Sequence, residues 1–145
     1  MSELKKKVTY AAIAGAVIAE ERVRNETSQQ VVAGIAKVTQ STWARIETGR
    51  ACTLENIVKA SMAIGLEPWQ LLKVVDDRVK GLLSQGYEVV VDVPSESEVK
   101  ADPDSWLTAR NIITAVSIAA IAAPLIPAAL NGVSEYLSSL WKKGE

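Results

Sequence analysis

The chain has 145 residues, 48% of them apolar, with no Phe, no His, one Cys and a formal net charge of −1. That length holds one ordinary domain, or a small domain with an appendage, and not two enzyme-sized units. Without His, and with Cys52 alone, the chain has no parts for imidazole general-base catalysis, a Cys–His nucleophile, an internal disulfide or a cysteine zinc site.

An aliphatic core poor in aromatic residues predicts an all-α fold. The charge is uneven, because residues 1–86 carry 12 Lys and Arg against 9 Asp and Glu, while residues 87–145 carry 4 against 8. A basic front and an acidic back suit a front half that meets a polyanion. Lys5, Lys6 and Lys7 before an Ala-rich run look like the start of a secretion signal, but Glu20, Glu21, Arg22 and Arg24 follow at once. The expectation is a cytoplasmic chain.

Five helices are predicted in the first 86 residues. From Tyr10 to Arg24, Ile13, Val17, Ile18 and several Ala recur at helical spacing. Ser28 is placed to cap a short second helix carrying Val31, Val32, Ile35 and Ala36, and Thr39 a third, with Trp43 and Ile46 inward and a stop near Gly49. Thr53 caps a fourth with Leu54, Ile57, Val58, Ser61 and Ile64 on one stripe, ended by Gly65. Pro68 opens a fifth whose stripe is Leu72, Val75, Val79, Leu82 and Leu83, up to Gly86.

Beyond Gly86 the period changes to two. Tyr87 to Val93 reads as one short strand closed by Pro94, and a lone strand needs a partner, here expected to be the same strand of a second copy. Ser95 to Asp104 is acidic and reads as a linker. Residues 111–134 carry no charge over 24 positions, about 36 Å as a helix and enough to cross a bilayer. Trp106, Tyr136 and Trp141 flank them as an interfacial belt would. The segment is Ala-rich, and Pro124 and Pro127 interrupt it, so a soluble oligomerisation hairpin fits the same residues. The expected organisation is thus a domain over 1–86, a strand and acidic linker over 87–104, and an apolar helical tail over 105–145, either hairpin or membrane anchor.

The stretch Thr27–Arg50, TSQQVVAGIAKVTQSTWARIETGR, resembles the Cro/cI-type helix-turn-helix family of phage and bacterial repressors. Its landmarks are Ser28 and Gln29, Ala33, a turn at Lys37 and Val38, polar residues Gln40 to Arg45, then Ile46, Glu47 and Gly49, in register without a gap. With the flanking helices the likeness spans about residues 10–85. It implies a five-helix lambda-repressor-like domain that binds double-stranded DNA as a dimer, acts as a transcriptional repressor on the nucleoid and uses no cofactor or metal.

The resemblance assigns Gln40, Ser41 and Thr42, opening the third helix, to the major groove, with Arg45 one turn on. Gln29 and, after the helix, Arg50 and Thr53 fall where phosphates are met, and Arg22 and Glu47 where the family has an ion pair. Gln suits the donor and acceptor of adenine, and Arg reaches guanine or phosphate. The chain departs from the pattern at Lys37, where Gly is usual and a positive φ would cost on the order of 1 kcal/mol, and at Trp43, where an aliphatic residue is usual. A second class fits the same elements: an antitoxin-like module that binds a partner protein, with DNA secondary. No glycine-rich phosphate loop, paired carboxylates or metal cluster supports an enzyme.

Overall fold

The structure, a computed structural model, describes residues 5–107 together with Asn111 and Ile112. Helices dominate, and one two-stranded parallel sheet joins the start of the described chain to the segment that follows α5. In chain order the elements are β1 (Lys7–Thr9), α1 (Tyr10–Arg24), α2 (Gln29–Ala36), α3 (Gln40–Glu47), α4 (Leu54–Ala63), α5 (Pro68–Ser84), β2 (Glu88–Val90) and α6 (Glu96–Ala101). A 3₁₀ turn at Pro103–Ser105 follows.

Local chemistry sets the helix boundaries. Thr9, Ser28, Thr39 and Thr53 each accept the backbone amide three residues on, so α1 to α4 all start at a hydroxyl cap. Pro68 occupies the first turn of α5, behind Glu67 and Gln70, whose Oε1 accepts the Glu67 amide at 2.9 Å. Between α2 and α3, Lys37 takes the left-handed conformation at φ 58° and ψ 42°, closing the turn where Gly is usual. Gly49, Gly65 and Gly86 do the same after α3, α4 and α5.

Helix α1 is the centre of the fold. Ile13 through Ile18 are all buried, Gly15 included, with α3 against one side and α5 against another. Around it close Val32, Ala33 and Ala36 of α2, Trp43 and Ile46 of α3, Ile57 and Ala60 of α4, and Leu71, Val74, Val75 and Leu82 of α5. Trp43 is wholly buried in the same cluster as Ala36, so this aromatic residue acts as a core anchor. The expected stripes are corrected at five places, the first being Val31, which is exposed on α2. Leu54, Leu72 and Leu83 face solvent, as does Ile35, because each helix presents the neighbouring residues instead, with Leu71, Val74 and Arg78 turned inward on α5. Arg78 is tolerated there because Nη1 lies 2.8 Å from Glu20 Oε2.

Two expectations after Gly86 are corrected. The predicted strand is shorter, and it pairs in parallel with β1 of its own chain, in the register Lys7 with Glu88, Val8 with Val89 and Thr9 with Val90. It therefore does not depend on a second copy for a neighbour. On its other side β1 bridges to Trp106, and the Leu107 amide donates to the Lys7 carbonyl at 2.8 Å. The acidic stretch is not an open linker, since Ser95 and Glu98 form a reciprocal capping box that starts α6.

Val8, Leu107 and Ile112 belong to the same buried cluster as the helices, so contacts cross the expected boundary at residue 86. Among the described residues no helix is long and apolar enough to cross a membrane. The predicted pair of tail helices, and all but two residues of the candidate span at 111–134, lie outside the described residues.

Candidate nucleic-acid interface

The connection from α2 to α3 is three residues long, Lys37 to Thr39, and it presents α3 at the surface. Three-residue spacing divides that helix: Trp43, Ile46 and Glu47 are buried, whereas Gln40, Ser41 and Arg45 are exposed and Thr42 is half-buried. The first turn is tied down by Thr39, whose Oγ1 donates to Thr42 Oγ1 at 2.9 Å while accepting the Thr42 amide at 3.1 Å, and whose hydroxyl meets Ser41 Oγ at 3.1 Å. The amino end of α3 is thus a polar, capped surface of side chains that donate and accept.

The underside of α3 is held by one carboxylate. Glu47, only 7% exposed, accepts at Oε1 from Arg22 Nε at 2.5 Å and from the buried Trp43 Nε1 at 2.7 Å. At Oε2 it accepts from Gln29 Nε2 at 2.7 Å and, more loosely, from Arg22 Nη2 at 3.4 Å. Arg22 Nη1 also donates to the Thr27 carbonyl at 3.0 Å. One acidic group therefore joins the end of α1, the start of α2 and the end of α3, and the expected Arg22–Glu47 pair is present.

The backbones come close at the same place. A Cβ on Gly15 would lie 2.5 Å from the carbonyl oxygens of both Ile46 and Glu47, and one on Gly49 would lie 2.6 Å from the Ala12 nitrogen. Only glycine admits this approach of α1 to the end of α3. Sequence reasoning did not single out Gly15. Its signal was an isolated glycine inside an otherwise continuous Ala-rich helix.

The other predicted site residues are scattered in role. Gln29 is half-buried and spends its amide on Glu47, so its position beside the first turn of α2 is fixed by a protein partner. Thr53 caps α4, accepting the Asn56 amide at 3.1 Å, and Asn56 Nδ2 holds the Ala51 carbonyl at 2.8 Å, which shapes the loop after α3. Arg50 is half-buried, and its Nη1 donates to the Pro94 carbonyl in the connection from β2 to α6. Gln40, Ser41, Thr42 and Arg45 share one surface. Arg50 and Thr53 lie past the carboxyl end of that helix and are both engaged within the chain.

Cys52 sits in the same loop with Sγ 3.4 Å from the Ile46 carbonyl and 3.7 Å from that of Ala11, and burial pushes its thiol up to about 11. It is a packed thiol and not a poised nucleophile. No protein-family profile, no curated protein and no solved structure matches the chain.

Proposed function

We propose that the chain is a sequence-specific DNA-binding regulator of transcription, a repressor of lambda-repressor-like fold that binds as a dimer and lays α3 in the major groove. The observation that carries this reading is the division of α3, with Trp43, Ile46 and Glu47 inward and Gln40, Ser41 and Arg45 outward. A helix held so firmly from behind can present side chains to base edges without spending much entropy on ordering them. Gln40 matches the paired donor and acceptor of adenine, Ser41 and Thr42 pair with either base or with phosphate, and Arg45 reaches guanine or the backbone. In this reading Gln29 reaches a phosphate with the second amide proton that Glu47 leaves it, and Arg50 and Thr53 flank the same strand. The protein acts on the nucleoid as a binding protein and not as an enzyme.

One such helix reads few base pairs, which is the argument for a dimer on a two-fold site with half-sites about 34 Å apart. The test is selection of bound duplexes from a random pool by gel shift, with sedimentation of the complex. Enrichment of a two-fold motif in a dimeric complex supports the reading. Absence of any retained duplex at low salt overturns it.

A second reading, an antitoxin-like module that binds a partner protein, is favoured by one observation. Val31 and Ile35, at successive turns of α2, are 54% and 56% exposed, the kind of aliphatic anchor that a protein interface uses. Substituting both with Ser separates the two, since DNA retention through α3 survives the change and partner binding does not.

A further inference from the structure

A cavity of about 360 Å³ opens beside the turn between α3 and α4. Three stretches remote in sequence build it: the start of α1, the turn at Thr48–Arg50, and the chain from Val93 to Leu107. Its walls are mostly apolar, from Ala12, Val93, Pro94, Val99, Trp106 and Leu107. The Arg50 guanidinium stands among them, half-buried.

We propose that this cavity binds a small organic monocarboxylate, with the apolar body against Val99 and Trp106 and the anion on Arg50. Arg50 donates to one neutral acceptor, the Pro94 carbonyl, and among the described residues no carboxylate pairs with it. A guanidinium has five donors in a planar fork, so most of its capacity remains for a ligand. A carboxylate meets that fork with two charge-assisted bonds, each roughly twice as strong as a neutral one. Thr9 adds a further donor, because its Oγ1 accepts the Ala12 amide at 2.9 Å and keeps its proton for a ligand oxygen.

Size and charge narrow the class. The volume lies at the low end of ligand pockets, roughly 300–1,000 Å³, which admits a single ring or a short branched chain and excludes a nucleotide. A neighbouring cleft across Trp106 is lined by Asp92 and Glu98 against the single cation Lys7, a net negative charge that disfavours a ligand carrying a second negative charge. The site is read on the free protein and does not depend on the DNA-binding proposal.

The experiment is calorimetric titration of the full chain at neutral pH with phenylacetate, benzoate and isovalerate, and with phenylacetamide as the uncharged control. The expected result is saturable binding of at least one acid, weakened about tenfold or more by Arg50→Gln and by the amide replacing the acid. Val99→Trp, which fills the cavity from the half-buried face of α6, should abolish binding while leaving the Arg50 charge in place. Far-UV circular dichroism matching the parent establishes that each variant is folded, and Arg50→Lys serves if Arg50→Gln is not, with a smaller loss. No saturable binding of any of the acids up to about 10 mM overturns the proposal, as does an amide that binds as well as its acid or affinity indifferent to both substitutions.

Discussion

Arg22 and Glu47, 25 residues apart, meet with Nε 2.5 Å from Oε1, and the pair locks the end of α1 to the end of α3. Both side chains are largely shielded, at 16% and 8% exposed, so the pair differs from a surface ion pair worth about 0–1 kcal/mol. Glu47→Ala leaves the half-buried Arg22 guanidinium without its carboxylate, and the Trp43 indole N–H and the Gln29 amide without their acceptor. The expected loss of stability is about 3–5 kcal/mol, read by urea unfolding through tryptophan emission. A loss below about 1 kcal/mol would mean that the network is not structural.

Gly15→Ala should destabilise the fold even though Ala is the better helix former. The propensity gain is about 1 kcal/mol at most, whereas the new methyl meets two backbone oxygens at 2.5 Å and neither can swing away. Overpacking of this kind costs about 1–3 kcal/mol or more, so the thermal midpoint should fall. A rise would show that α1 and α3 separate without penalty.

Gln40→Ala should reduce discrimination at a single base pair by about 1–3 kcal/mol, and Arg45→Ala should weaken binding and, if it touches phosphate, lower the salt slope by about one unit. Gel shifts on the selected site and on random duplex provide the comparison. Equal loss on both for the Gln40 variant removes that residue from base readout.

The Cys52 thiol, raised by burial to about 11, should resist modification in the folded chain at pH 8 and react quickly once urea unfolds it. The linked effect on stability follows from its sign. The folded state binds the proton more tightly than the unfolded one, whose thiol titrates near the usual 9. This contribution is therefore complete below pH 9, is lost as pH rises toward 11, and amounts to about 3 kcal/mol at most. Tyr10 works in the same direction, raised to about 12 by burial and then by its hydrogen bond to Asp76. Cys52→Ser should flatten part of the alkaline decline.

Leu107→Ala should lower the stability of the whole described unit by about 2–5 kcal/mol, because Leu107 is 8% exposed within the helical core. Helical signal and tryptophan emission should shift together. An unchanged midpoint for the helices would show that residues 10–85 stand alone.

Much of the helical part was legible from local signals. Ser28, Thr39 and Thr53 cap where hydroxyl residues before apolar runs suggest, Pro68 opens α5, and Lys37 takes the positive φ that its position implied. β1 was not legible, because three residues carry no period and their hydrogen bonds go to partners far along the chain. α6 was hidden by its acidity: it buries no residue fully and owes its start to the capping box of Ser95 and Glu98. On the candidate interface the polar face of α3 could be read from spacing. The engagement of Gln29 with Glu47 and of Arg50 with Pro94 could not, since each depends on where a second element packs.

The parallel pairing of β1 with β2 sets an order in time. Lys7 and Glu88 are partners, so during synthesis β1 has left the peptidyl-transferase centre some 80 residues before its neighbour is made. At roughly 5–20 residues per second, that delay is about 4–16 s, ample for short helices that close in microseconds. Helices α1 to α4 can therefore form while Val8 still lacks its strand partner, whereas α5 ends only four residues before β2 begins and joins them at about the time the sheet closes. For that interval a nascent chain displays a basic, β-branched segment that a chaperone can hold.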